Sequence, residues 1–346
     1  MGTNETGTTG DERAHGVKSI FYLYSLRSGS GAMQVVLRKV GESLPMNSTG
    51  ATFRKHSSAG VDWASWVLGI GLGLTLALQA TTMRHSDISS VYAVVASLSR
   101  LAALTGTFFA VVGIFLVARI PWVERGVGHD RLVTWHRKLG PWSLYLIGFH
   151  VLLIVLSSAG QDGEMLAVEL WRMLNTMSWM WAALGGFILM IAAGLTSYKK
   201  ARAKMSYETW WIIHIYTYVA IAASFMHQVL NGQMFVGHPL NRLYWTSLYV
   251  LMAVCVVYYR FGIPLWRSLQ LNLKVDKVVV EGPGVVSVIM KGRNLHKLAA
   301  EGGQFFGWRF ITKGHFLMSH PYSLSAAPTQ HYLRVTVKDL GDHSRS

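Results

Sequence analysis

The chain has 346 residues, 51% of them hydrophobic and only 14% charged, with a formal net charge of +15. So apolar a composition excludes an ordinary pair of soluble domains and points to the membrane. The basic residues form no aromatic-interleaved cluster, which argues against nucleic acid as a partner, and the single cysteine, Cys255, excludes an internal disulfide, a CxxCH haem attachment, a Cys-ligated iron–sulfur cluster and a Cys-based zinc site.

Residues 1–60 are rich in Gly, Ser and Thr, lack sustained periodicity and contain no long apolar run, and they read as a disordered cytoplasmic extension. Six apolar stretches follow, near Val61–Thr82, Leu98–Ile120, Gly140–Ser158, Met177–Ser197, Trp210–Leu230 and Leu243–Pro264. Each is about long enough to cross a hydrocarbon core of ~30 Å, so residues 61–264 are expected to form an all-α domain of six transmembrane helices embedded in lipid. The second and fourth connections carry Arg119, Arg125, Arg131, Arg137, Lys138, Lys199, Lys200, Arg202 and Lys204, against Arg84, Arg172, Arg242 and at most Arg100 on the other side. The positive-inside rule then puts both termini in the cytoplasm of a multi-pass protein, with the plasma membrane as the expected site.

After Pro264 the pattern changes to short alternating stretches at Leu271–Val280, Val285–Lys291, Gln304–Phe310 and Tyr332–Asp339, separated by turns such as Glu281–Gly284. Residues 265–346 therefore read as an antiparallel β domain on the cytoplasmic side.

Four histidines stand inside two spans, His136 and His150 in the third and His214 and His227 in the fifth. A histidine in a span is costly unless its polarity is used. Spans three and five run in the same direction, so His136 shares a depth with His214, and His150 with His227. Facing pairs of neutral imidazoles are what haem iron takes in its two axial positions, so two pairs predict two b-type haems. Fourteen residues at 1.5 Å rise separate the span-three ligands by roughly 21 Å, one level in each leaflet. Fourteen steps of 100° return within about 40° of the starting face, whereas the thirteen of span five leave His227 about 140° from His214, so that helix is expected to tilt, kink or tighten. Small residues beside the ligands, Gly140 and Gly148 with Ala220, Ala222 and Ala223, are expected to let a flat ring approach the helices.

In the β domain, Gly303–Phe310 reads GQFFGWRF and is followed by His320, Pro321, Tyr322 and Ser323. An aromatic ring followed by a hydroxyl at a strand end can stack on a flavin while donating to its N5 and O4 edge.

These features together resemble the ferric reductase-like transmembrane proteins, a superfamily that includes the NADPH oxidases, joined to a ferredoxin-reductase-type FAD-binding domain. The resemblance runs from about Trp63 to the C-terminus and rests on the histidine spacings and the HPYS motif. It implies that the four histidines ligate two b-type haems in the pairing above. It further implies that His320 approaches the FAD phosphates or ribityl chain, that Tyr322 stacks on the isoalloxazine and Ser323 bonds its N5 region, and that Thr336, Val337 and Lys338 form the second flavin-contacting strand. Relatives of the reductase branch often carry Arg where His320 stands. The implied β domain is an incomplete antiparallel barrel, ending at Ser346 before the pyrophosphate loop and the NAD(P)-binding domain, so NAD(P)H is expected to donate through a domain or separate reductase outside this chain. The implied activity is an oxidoreductase passing electrons from NAD(P)H through FAD and two haems to an acceptor outside: a ferric chelate, oxygen or a partner protein. The haem subunit of a quinone-linked reductase and a non-enzymatic haem carrier are the alternatives.

Overall fold

A computed structural model describes residues 24–26, 58–298, 305–308 and 320–338. The expected extension lies almost wholly outside these residues, as do Gln304, Arg309, Phe310 and Asp339 of the expected strands. The chain divides into two compact units, Ser28–Gly262 and Met1–Arg27 together with Ile263–Ser346.

The first unit is helical. Its helices are α1 (Ser58–Thr81), α2 (Val91–Leu116), α3 (Pro121–Val127), α4 (His129–Asp162), α5 (Leu166–Thr176), α6 (Met180–Ser197), α7 (Lys199–Arg202), α8 (Tyr207–Asn231) and α9 (Pro239–Cys255), and a π-helical turn, Val256–Gly262, continues α9. Six segments are long and apolar enough to cross a membrane: Gly60–Thr81, Val91–Leu116, His129–Asp162, Met180–Ser197, Tyr207–Asn231 and Pro239–Leu271. The protein is an integral membrane protein. Its exposed surface agrees with that reading, since Trp66 and Ile70 on α1 are 71% and 65% exposed, apolar side chains that only lipid can cover without penalty. Local signals set the ends. The Ser90 hydroxyl accepts from Ala93 N–H at 3.1 Å to cap α2, the Ser206 hydroxyl accepts from Thr209 N–H at 3.2 Å to cap α8, and Gly163 closes α4 in a left-handed conformation (φ 69°).

Helices α2 and α4 approach closely because Gly106 has no side chain. A Cβ there would stand 2.9 Å from Leu146 Cβ and 3.1 Å from Ile147 N. Ser143 and Ser157 donate across the same seam to the Gly106 and Tyr92 carbonyls at 2.8 and 2.7 Å, the usual way for helices to associate without a hydrophobic driving force. Gly186 does the same between α6 and α8, where a Cβ would meet Ala220 O at 2.6 Å and Ser224 Oγ at 2.8 Å. Ala220 thus serves helix packing, while Gly140 has nothing within 4 Å of its Cβ position and leaves space beside α4.

Two features depart from the sequence reading. The third span is longer than Gly140–Ser158, because α4 begins at His129 and carries Pro141 inside it. Its polar first turns fall outside any apolar window, yet they continue the same helix. The connection after it holds the amphipathic helix α5, too short and too polar on one side to register as a span.

The second unit begins with α10 (Ile263–Leu271) and contains β1 (Tyr24–Leu26), β2 (Lys274–Gly282), β3 (Val285–Lys291), β4 (Phe305–Trp308), β5 (His320–Ser323) and β6 (Tyr332–Lys338). The first expected strand therefore starts three residues late, since Leu271 ends a helix. The strands form two antiparallel sheets, β1-β4-β5 and β2-β3-β6, joined by the bridge Leu324–Val335 and not closed into a barrel among the described residues. Gly284 (φ 68°) makes the tight β2–β3 turn. Along β6 the alternation puts Leu333, Val335 and Val337 in a core with Met290, Phe306, Trp308 and Leu324, and turns Arg334, Thr336 and Lys338 to the other face. β1 went unread because three residues show no alternation of their own; they pair with β4.

The α6–α8 contact yields a test. Gly186→Val is expected to cost about 1–3 kcal/mol, because a branched side chain must displace the Ala220 backbone. Thermal unfolding in detergent should show the loss, whereas Gly69→Val, at a position with nothing within 4 Å, should melt like the parent.

Candidate functional site

The four membrane histidines come together as two pairs. His136 and His214 face each other with ring centroids 5.9 Å apart at 81°. Two imidazoles on opposite sides of one metal ion, each with a bond of about 2 Å, hold their ring centres about 6 Å apart. His150 and His227 line a single cavity of about 440 Å³, the size of a cofactor pocket.

Three of the histidines present their rings through contacts at Nδ1. His136 Nδ1 donates to the Gly113 carbonyl of α2 at 2.9 Å. His150 Nδ1 lies 2.8 Å from Ser99 Oγ and 3.2 Å from the Ser99 carbonyl, and Ser99 Oγ itself donates to the His150 carbonyl at 3.0 Å. The one hydroxyl hydrogen is spent there, so Ser99 Oγ accepts and Nδ1 carries the proton. On α8, His214 Nδ1 stands 3.3 Å from Ser197 Oγ, which also accepts from Trp210 Nε1 at 3.1 Å, while the Trp210 ring stacks on His214 at 5.0 Å. His227 Nδ1 is buried facing the Ser224 carbonyl one turn back and makes no well-formed hydrogen bond. With Nδ1 protonated in His136 and His150, the lone pair of those rings sits on Nε2, and no Nε2 of the four has a hydrogen bond among the described residues.

This arrangement suits haem. No group of three or more His, Cys, Asp or Glu side chains is gathered as a metal site among the described residues, so the histidines meet only in pairs. Two buried polar atoms beside the cavity that His150 and His227 line, His227 Nδ1 and Gln233 Oε1, lack partners, which is unusual unless a ligand or water completes them. Of the three alternatives for α8, a 3₁₀ or π tightening is not present: the helix stays α-helical from Tyr207 to Asn231, and both histidines still reach a partner level.

The model of the family described as "Ferric reductase like transmembrane component" matches residues 102–225, a stretch that takes in His136, His150 and His214 and ends two residues short of His227. This stretch is similar to a ferric reductase-like transmembrane domain. No curated protein matches the chain.

In the second unit, Tyr322 and Ser323 lie on β5 opposite Phe306 and Phe305. Tyr322 is half-buried against the core, which pushes its phenol pKa up, and its carbonyl accepts from Trp308 Nε1 at 3.0 Å. The bridge between Leu324 and Val335 has Ser323 and Thr336 as its neighbouring residues, and Thr336 Oγ1 shares a 2.8 Å hydrogen bond with Ser287 Oγ. Val337 points into the core, so any contact it makes with a ligand is through its main chain. His320 pairs with Trp308 in register and Pro321 with Gly307. Lys338 ends β6, exposed.

Sequence reasoning missed the groups around the ligands. Ser99, Gly113 and Ser197 supply the Nδ1 contacts, and only a serine inside a span hints at such a role. Arg100 is different: it is charged and reaches the 440 Å³ cavity, together with Gln79, Gln228 and Gln233. Its Nη1 donates to Asp87 Oδ1 at 3.0 Å, and Asp87 Oδ2 accepts from Gln233 Nε2 and Arg84 N–H at 2.7 Å each. Burial pushes the Asp87 carboxyl up, but those donors outweigh it and hold the group below its ordinary value.

A pH dependence follows with a definite sign. The folded pKa of Asp87 lies below that of the unfolded chain, so its stabilisation is complete above about 3.9 and is lost as the pH falls further. Melting of the purified protein between pH 6 and pH 3 should show this loss. Asp87→Asn should melt lower at pH 6 and lose less on acidification; an identical acid limb for both proteins would refute the assignment.

Proposed function

We propose that the membrane unit is the two-haem part of a transmembrane oxidoreductase, with His136 and His214 ligating one b-type haem and His150 and His227 the other. The observation that carries the reading is the pairing of the four histidines at two levels, with Nδ1 of His136, His150 and His214 turned to protein groups and Nε2 of each ring left without a protein hydrogen bond. Bound there, the haems would supply one-electron transfer across the membrane, fed from NAD(P)H through FAD and discharged to a ferric chelate, oxygen or a partner protein on the far side.

The chain's own part is to place and tune these groups. Gly113 and Ser99 fix the rotation and tautomer of two rings, as acceptors behind metal-ligating histidines do elsewhere, and Ser197 helps to hold the rotation of a third. Apolar walls keep water from the rings, and the neutral imidazoles add no charge of their own. In the second unit we assign the flavin contacts to β5 and β6: Tyr322 offers the face of its ring, Ser323 a hydroxyl, Thr336 and Lys338 their side chains, Val337 its main chain, and His320 and Pro321 the start of the strand. Hydride would reach this site from a nucleotide-binding domain or partner reductase. The distribution of positive residues supports cytoplasmic termini, with the His136 level toward the cytoplasm, and the plasma membrane is the location we propose.

Two experiments test this. Replacing His136 or His214 by Ala should remove one haem, and replacing His150 or His227 the other, so haem per chain falls from two to about one and the two members of a pair lose the same spectral component. Four variants that all retain two six-coordinate haems would defeat the ligand assignment. For orientation, single cysteines at the exposed positions Glu164 and Lys200 in a Cys255→Ser background should react with an impermeant thiol reagent from opposite sides of sealed vesicles. Reaction from one side would overturn the six-span topology.

A further inference from the structure

We infer that Arg260 binds the propionates of the haem held between His136 and His214, an inference that rests on the ligand assignment above. The residue lies in the π-helical turn Val256–Gly262 that continues α9. Such turns are rare, cost hydrogen-bond geometry and recur at functional sites, since the added residue re-aims the side chains around it. An ionisable residue within a span is costly as well. Two such costs at one residue call for a use.

The position is fixed from α2. Arg260 Nη1 donates to the Val117 carbonyl at 2.9 Å. Val117 stands four residues after Gly113, the residue whose carbonyl receives His136 Nδ1. Carbonyls four residues apart lie on one helix face, about one pitch of 5.4 Å from each other. The guanidinium is thereby held one turn beyond the His136 ring, toward the C-terminal end of α2. Its charge acts on His136, His214 and Tyr218, so it serves both walls of the site. It is displaced along the helix axis from the line joining the two rings, on a side where the rim of a flat ligand clamped between them must lie. A guanidinium presents five N–H donors in a fork that matches carboxylates. Propionates are the carboxylates at the rim of haem.

A cation at that rim stabilises the reduced iron, which has one positive charge fewer, and so raises the midpoint potential. The test is a redox titration of the purified full chain, Arg260→Gln beside Arg260→Lys, with Arg137→Gln as an exposed-cation control and His136→Ala to identify the spectral component concerned. In Arg260→Gln that component should become at least tenfold harder to reduce, a fall of 59 mV or more for a one-electron couple. The second component, Arg260→Lys and Arg137→Gln should stay near wild type. Selective loss of the His136-linked haem from Arg260→Gln, with the other haem retained, supports the inference equally. Two haems with unchanged potentials overturn it and leave the ligand assignment standing; loss of both haems together assigns Arg260 to helix packing and overturns it too. A wild-type chain without two haems removes the ligand assignment and this inference with it.

Discussion

A neutral imidazole buried in a membrane has two nitrogens to satisfy and no water to do it, and the helical unit is organised around the destination of Nδ1. Both ring contacts of α4 go to α2, at Gly113 and at Ser99, nearly four turns apart. They fix the rotation of α4 at two depths. The same seam holds Gly106 and the Ser143 hydroxyl between them, so presenting the histidines and packing the helices are one set of contacts. On the other wall, His214 leans on Ser197 of α6, and α6 reaches α8 closely only because residue 186 is glycine. Two tightly packed helix pairs thus turn their histidines toward each other.

The two levels differ in chemistry. At the His136–His214 level the rings nearly touch, a tryptophan stacks on one of them, and Arg202 lies 4.9 Å over that tryptophan. At the His150–His227 level the rings are set in a roomy cavity rich in amides, and its one arginine is neutralised by Asp87. Helix α5 closes this cavity. Its Met173 and Leu174 line the space, while Glu169, fully buried, takes hydrogen bonds from Ser158 and Arg172, and Arg172 also pairs with Asp162. Burying a carboxylate is costly unless it is hydrogen-bonded, so the contacts that hold this helix in place are the ones that make the burial of Glu169 tolerable.

The six spans and the four histidines were legible because both are written in spacing: runs of apolar residues count turns, and a polar residue inside such a run stands out. Partners were not legible. Gly113 contributes only a carbonyl, and Ser99 and Ser197 resemble the small residues that pack any membrane helices. Arg260 could have been flagged as an ionisable residue within the stretch Leu243–Pro264, but no pattern announces a π turn. In the second unit, alternation revealed β3 and β6, while the three-residue β1 depends on the edge offered by β4, a contact hundreds of residues away in sequence.

The unequal spacing of the four histidines leaves a geometric problem for the two helices that carry them. Fourteen residues on α4 and thirteen on α8 differ by one step, about 100° of rotation, so two straight parallel helices cannot present both ligands to each other equally well. Helix α8 shows no π or 3₁₀ segment between His214 and His227. Between His136 and His150, however, α4 contains Pro141, which has no N–H for the Arg137 carbonyl and crowds the preceding turn. Sharp bends in helices concentrate at such residues. The Ser143 hydroxyl, two residues on, bonds to the Gly106 carbonyl and holds this part of α4 against α2. A helix weakened at Pro141 and pinned on either side by Gly113, Gly106 and Ser99 can aim its two halves independently, which is what a pair of ligands in unequal register requires.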